Sequence, residues 1–188
     1  EITCRDWSSD VCSSDLPEFI FSSFAGSDAV RFLRQMREYR LHGKVKLIGS
    51  GALFDQEDVV SAVKEAALGG LNTCNQSPTA PSSAAFTKAY QAARNAMPGE
   101  MGTAGYVTGQ VIKAAVERVE GDLSNKEKVK EALLAREVET VFGPMPFDPR
   151  NNQAILDIYV NEVKEGAGGP VNQVIHTYKG VRDPGPVA

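Results

Sequence analysis

Side chains able to do chemistry are few in this sequence, and their spacing excludes most reactions. His42 and His176 are the only histidines, and neither adjoins a nucleophile motif such as Gly-x-Ser-x-Gly. His42 precedes Gly43 at the end of a helical pattern, where a cation suits the helix dipole, and His176 falls in a late strand pattern. Two histidines and one credible cysteine, Cys74, give no zinc spacing. Gly49-Ser50-Gly51 opens a phosphate fingerprint that fails at Phe54, where the third glycine would stand, and no P-loop lysine follows. Cys74 has no nearby His or Lys to lower its pKa and reads as a small buried hydrophobe. The loop Phe24-Ala25-Gly26-Ser27 is different. Its backbone N–H groups and the Ser27 hydroxyl open a helix, which either receives a carboxylate or other anion or is an ordinary N-cap with nothing bound. The residues present assemble no catalytic site, no metal site and no cofactor site.

The elements that position this loop follow from periodicity. Residues 19–24 form a short aromatic-rich run expected to be a buried strand. Ser27 is the expected N-cap and Asp28 lies in the first turn, where the dipole favours an anion. Ala29, Phe32, Leu33 and Met36 recur at helical spacing up to Gly43. Residues 45–48 are the next strand and break into Gly49-Ser50-Gly51. Asp55 caps a second helix striped by Val59, Val63, Ala66 and Ala67, and residues 71–75 make a weak third strand. Phe86, Ala89, Tyr90 and Ala93 mark a third helix that ends before Pro98-Gly99. Three strand-loop-helix units in series predict a mainly parallel sheet with helices on both faces, and ligands of such sheets sit at the carboxyl ends of the strands.

Past Pro98 the character changes. Residues 106–119 are apolar nearly all round, which predicts a helix buried on two sides, and Gly105 and Gly109 leave room for close backbone approach. Ser124-Asn125-Lys126-Glu127 reads as a capping box. Residues 154–163 and 171–178 are strand candidates separated by Gly166-Ala167-Gly168-Gly169.

Composition sets the outer bounds. The 188 residues suffice for one ordinary domain or two small lobes, and the net charge of −4 offers no basic surplus for nucleic acid or an anionic membrane. No apolar run reaches the roughly 20 residues of a membrane-spanning helix. Residues 1–16 lack periodicity and resemble the translation of a sequencing-library adapter, so they are expected to be a non-native leader. Setting aside its one Arg and four acidic residues brings the net charge to −1. Setting aside Cys4 and Cys12 leaves Cys74 alone, so no disulfide framework is expected.

Residues 17–59, from Pro17 through Ser27-Asp28-Ala29 and Gly49-Ser50-Gly51 to Val59, resemble the second lobe of branched-chain amino-acid-type (leucine-binding-protein-like) solute-binding proteins of ABC importers. Later markers agree in order: Ala66-Ala67-Leu68-Gly69, Phe86 with Tyr90, Gly105-Tyr106, Gly143-Pro144-Met145-Pro146-Phe147-Asp148-Pro149, Asp157-Ile158-Tyr159-Val160, and Gly180-Val181-Arg182-Asp183-Pro184-Gly185. The resemblance implies an α/β type I periplasmic-binding-protein fold, with a mainly parallel sheet flanked by helices and two lobes, the first largely missing. Residues 17–98 would be lobe two, 99–142 helices of lobe one, and 143–188 crossover and C-terminal strands returning to lobe two.

The resemblance also implies a function. The protein would be the extracytoplasmic binding component of an ABC importer, periplasmic or at the cell surface, working by hinge closure without making or breaking a bond. Its partners would be a small-molecule ligand and the membrane permease, with no nucleic acid, and the full-length protein would be a monomer. Family ligand contacts map to Phe24, Ala25, Gly26, Ser27, Ser50, Gly51 and Gln76. Amino-acid-binding members carry an acid in the second loop, where Gly51 stands, and an aromatic in the first, where Ala25 stands beside Phe24. Gln76 also replaces an aromatic of many relatives. A buried ammonium without a counter-charge is costly, so a carboxylate, aromatic or aliphatic, or an amide is expected at least as much as an amino acid. A ligand-sensing domain of a regulator or receptor would use the same fold. A Rossmann-like enzyme is the third reading, disfavoured by the absent catalytic residues.

Overall fold

A computed structural model describes residues 16–135 and 137–185; Cys4, Trp7 and Cys12, in the stretch expected to be a leader, lie outside the described residues. In chain order the elements are β1 (Phe19–Ser22), α1 (Gly26–Glu38), β2 (Lys46–Ser50), short helical turns over residues 51–67 that include α2 (Ser61–Val63), β3 (Leu71–Cys74), α3 (Ala84–Arg94), α4 (Glu100–Arg118), α5 (Lys126–Leu134), β4 (Val138–Thr140), β5 (Gly143–Met145), β6 (Leu156–Gly166) and β7 (Gly169–Val181). β1, β2 and β3 are parallel neighbours, as the strand-helix-strand pattern predicts. β6 starts two residues later than expected but runs on to Gly166, and β7 extends at both ends. The two form one antiparallel hairpin that pairs with β3 through β6 and gives the sheet order β1-β2-β3-β6-β7. β4 and β5 form a separate two-stranded ribbon that the sequence did not announce.

The main core lies on one face of the sheet. α1 buries Ala29, Leu33 and Met36 there, beside Leu47, Leu53, Phe54, Val59, Val60 and Val163. A fully buried Leu or Val side chain contributes about 1.5–3 kcal/mol each, so this cluster is the main source of cohesion. The opposite face is open at β1. Strand alternation puts Phe19 and Phe21 there, and they are 56% and 67% exposed. The expectation of a buried first strand is thereby corrected: β1 is an edge strand with one partner among the described residues.

Three helical expectations also change. α1 begins at Gly26 with Ala25 as its N-cap and no side-chain cap, so Ser27 sits inside the first turn beside Asp28. The expected second helix is broken into π, α and 3₁₀ turns, and the α turn ends at Val63 because Lys64 takes a φ of +49° that an α-helix cannot continue. At α5 the cap is Asn125, whose Oδ1 accepts from Lys128 N at 3.1 Å, while Ser124 bonds Asp122 instead.

α4 belongs to a second cluster. Val107 packs with Val141 and Met145, bordered by Phe86, Phe147 and Leu156, and Gln110 Oε1 accepts from Val141 N at 3.1 Å. Arg118 donates to Ala132 O and Glu137 O, holding α5 against α4. The prediction of burial on two sides fails, since Met101, Tyr106 and Ile112 are 69%, 53% and 55% exposed. Side chains added at Gly105 and Gly109 would meet nothing within 4 Å, so the room these glycines leave stays open.

Candidate functional site

The carboxyl ends of β1, β2 and β3 lie side by side, with Ser22 in register with Gly49 and Gly49 with Asn72. This brings the loop Phe24, Ala25, Gly26 and Ser27, the pair Ser50 and Gly51, and Gln76 to one edge of the sheet. Within the first loop the side chains are exposed, and the Phe24 ring stacks on Phe32 at 5.3 Å and 54°. Gly26 has a φ of +51°, which turns the chain from the strand into the helix at little steric penalty only without a Cβ. The first backbone N–H groups of α1 have no acceptor within the helix and face this edge. Asp28 answers them from the first turn and pairs with Arg31 at 3.5 Å.

Gly51 is buried, and the space above its Cα is taken. A Cβ there would lie 2.7 Å from Glu100 Oε2 and 2.8 Å from Cys74 Sγ, so a longer side chain would have to displace both. The loop after β2 therefore projects no charge of its own. A carboxyl does stand beside it, however, contributed by Glu100 at the start of α4.

Asp55 sets the position of Glu100. One oxygen of Asp55 accepts from Glu57 N and Asp58 N, both at 3.0 Å, and the other accepts from Glu100 N at 2.6 Å. A single carboxylate thus caps two helical starts, and Gly99 is small because a Cβ there would lie 2.5 Å from Asp55 Oδ1. Burial raises the Glu100 pKa, the Cys74 contact lowers it, and the nearby Asp55 charge adds to the rise. Burial, with the Glu100 charge second, pushes the Cys74 thiol up to about 12, so it is a neutral thiol at physiological pH. That agrees with its reading as a buried hydrophobe.

Gln76 is buried, and its Nε2 has no hydrogen-bond partner. Beneath it Asn72, Asn161 and Asn172 run across the sheet as a hydrogen-bonded row. Neither the row, nor Glu100, nor the double cap at Asp55 was expected from the sequence. A signal was available: asparagine is disfavoured inside strands, and Asn72, Asn161 and Asn172 stand within β3, β6 and β7.

The remaining chemistry-bearing residues stay apart from this edge. His42 Nε2 donates to Leu68 O at 3.2 Å, and the His176 ring lies 4.7 Å from the Tyr178 ring. Among the described residues there is no cluster of three metal-ligating side chains, and no helix is long and apolar enough to cross a membrane. A groove of about 740 Å³ runs between Gln56–Glu65 and the turn at Glu165–Gly169. Because β6 runs antiparallel to β3 with Leu71 opposite Glu162, that turn lies beyond the amino end of β3, away from the loops above.

Solved structures share this architecture. A solute-binding protein of an ABC transporter from Rhodopseudomonas palustris BisB5, in complex with 3,4-dihydroxybenzoic acid, is 25% identical with a TM-score of 0.83, over 92% of this chain and 48% of that one. An ABC transporter substrate-binding protein from Sphaerobacter thermophilus is 31% identical with a TM-score of 0.76, over 86% of this chain and 44% of that one. A solute-binding protein from R. palustris in complex with benzoate is 25% identical with a TM-score of 0.74, over 86% and 44%. The chain spans less than half the length of each of these proteins. A comparison with curated protein sequences gives no match. The periplasmic binding protein family matches residues 14–169, and its α/β type I fold is the one traced above. Most of the sequence, and the parallel strands that carry the three loops, fall within that match: the chain belongs to the periplasmic binding protein family.

Proposed function

We propose that this chain supplies one wall of the ligand cleft of an extracytoplasmic solute-binding protein serving an ABC importer, and that the ligand is a small aromatic carboxylate. The carrying observation is the alignment of three small-residue loops at the carboxyl ends of three adjacent parallel strands, in a chain of this family. The ligand carboxylate would lie on the free N–H groups at the start of α1, and Phe24 offers an exposed ring face beside it. Two relatives at 25% identity hold benzoate-type acids. Ala25, Gly26, Ser27 and Ser50 would line the wall, and Gly51 and Gln76 would form its floor.

In this reading residues 17–98 are lobe two, 99–142 belong to lobe one, and 143–188 return to lobe two. Binding energy favours the closed arrangement that a membrane permease recognises, and no covalent step is involved. The protein acts outside the cytoplasmic membrane as a monomer.

Glu100 favours a second reading. Its carboxyl occupies the space next to Gly51, where it could meet the ammonium of a branched-chain amino acid. Calorimetric titration of the full-length protein with benzoate, 4-hydroxybenzoate and leucine separates the two. Under the first reading the benzoates bind, leucine does not, and Glu100→Gln keeps or tightens benzoate binding by relieving a like charge. Under the second, leucine binds and Glu100→Gln weakens it by about 30-fold or more, the effect of leaving a buried charge unpaired. Failure of every organic acid and amino acid to bind would overturn both.

A further inference from the structure

The amide row beneath the cleft has a fixed direction. Its far end is anchored on the backbone, because Asn172 N–H and Phe54 C=O each have only one possible role. Asn172 N donates to Gln56 Oε1 at 2.8 Å, which leaves Gln56 Nε2 to donate to Pro170 O at 3.1 Å. Asn172 Nδ2 donates to Phe54 O at 2.8 Å, so its Oδ1 is the acceptor for Asn72 Nδ2, at 2.7 Å. Asn72 Oδ1 in turn accepts from Asn161 Nδ2 at 3.3 Å. Every orientation in the row follows from the two backbone groups, and the row ends on Asn161 Oδ1, an acceptor with no partner on a residue that is 1% exposed.

Gln76 Nε2, a donor with no partner on a residue that is 6% exposed, lines the same small cavity as Asn161. Gly51, Cys74 and Glu100 contribute to its walls. The cavity is about 10 Å³, close to the roughly 10–15 Å³ that one water requires. A buried donor or acceptor without a partner costs about 1–3 kcal/mol, so two on one cavity point to an occupant. That occupant must donate to Asn161 Oδ1 and accept from Gln76 Nε2. A carboxylate cannot donate and an ammonium cannot accept.

We infer that this cavity is a binding site for a single internal water, which accepts from Gln76 Nε2 and donates to Asn161 Oδ1. Its second proton is left for the Glu100 carboxyl, which would give three partners, the usual number for a buried water. The water joins the loop after β3 to β6 and continues the amide row as far as α4. It also holds Gln76 Nε2 inward, where a ligand does not reach it, so Gln76 shapes the floor of the cleft. The inference is independent of what the cleft binds.

A high-resolution crystal structure of the full chain tests it, together with nuclear Overhauser spectra of the same chain in solution. The expected result is a density peak within about 3 Å of both Gln76 Nε2 and Asn161 Oδ1, and a direct cross-peak between the Gln76 side-chain amide protons and water with the sign of a long-lived bound water. A dry cavity, a direct Gln76–Asn161 hydrogen bond, or a Gln76 amide turned out to bulk solvent with only fast-exchange contacts would each overturn it.

Discussion

Individual carboxylates in this chain are held by specific donors, and Asp148 is the strongest case. Arg150 donates to both Asp148 oxygens with its guanidinium, at 2.7–3.2 Å, and to Oδ1 with its backbone N–H. Those bonds hold the Asp148 carboxyl down at about 2. Arg150 Nη2 also donates to Asp183 O and Asn151 Nδ2 to Asp183 Oδ2, so the turn after β5 fastens the C-terminal tail. The sign of the pH effect follows from the lowered pKa: this stabilisation is complete above the unfolded value of about 3.9 and disappears as pH falls through about 2. Urea midpoints should show it. Asp148→Asn is expected to unfold earlier than the parent chain at neutral pH and to approach it as pH falls below about 4. A difference that stays constant across that window would mean that the Asp148 charge contributes nothing. The sequence marked Asp148 only as part of a Gly-Pro-Met-Pro-Phe-Asp-Pro series; its partner Arg150 is local, but the link from Arg150 and Asn151 to Asp183 is made by the fold alone.

Between elements, the connections that matter most start from Asp55. Sequence spacing identified it as a helix cap, and it caps the turn at Gln56–Val60. Its second role, receiving Glu100 N, joins segments 45 residues apart, and no local pattern could reveal it. Tyr90 adds a parallel link by donating to Glu57 at 2.9 Å and 3.0 Å, and Phe86 stacks on Tyr106 at 4.8 Å. Asp55→Ala should therefore weaken two helix starts at once. One cap is worth about 0.5–2 kcal/mol, so a loss of about 2–3 kcal/mol is expected by chemical denaturation, with Asp55→Asn intermediate because its single Oδ1 can still serve one start. A loss under about 0.5 kcal/mol would show that water replaces the cap. The same contrast explains what was legible. Residues 19–75 signal their strands through local runs, so the placement of three loops at the carboxyl ends of parallel strands could be read from them. The β4–β5 ribbon, the exposure of β1 and the arrival of Glu100 beside Gly51 depend on partners distant in sequence.

At the scale of the whole molecule, two of the apolar surfaces left uncovered among the described residues bear on how the chain behaves alone. One is the sheet face at β1, with Phe19 and Phe21 more than half exposed. The other is the side of α4 where Met101 and Ile112, eleven residues and about three turns apart, point the same way past Gly105. Exposed apolar side chains of this size favour association, and β1 adds an unpaired strand edge that can template pairing. The relatives in solved structures are more than twice as long as the span they share with this chain, and a two-walled cleft needs both walls to close on a ligand. Two consequences are expected of the isolated chain. Sedimentation velocity should show concentration-dependent self-association that Phe21→Lys with Ile112→Lys reduces, and calorimetry should show ligand binding far weaker than that of the full-length protein. The variants separate the causes. If the charged pair restores a monomer and binding stays weak, the missing affinity belongs to the absent wall. If the parent chain is a stable monomer that binds a benzoate or leucine as tightly as the full-length protein, the one-wall description is wrong, and the loops at the ends of β1, β2 and β3 form a complete site.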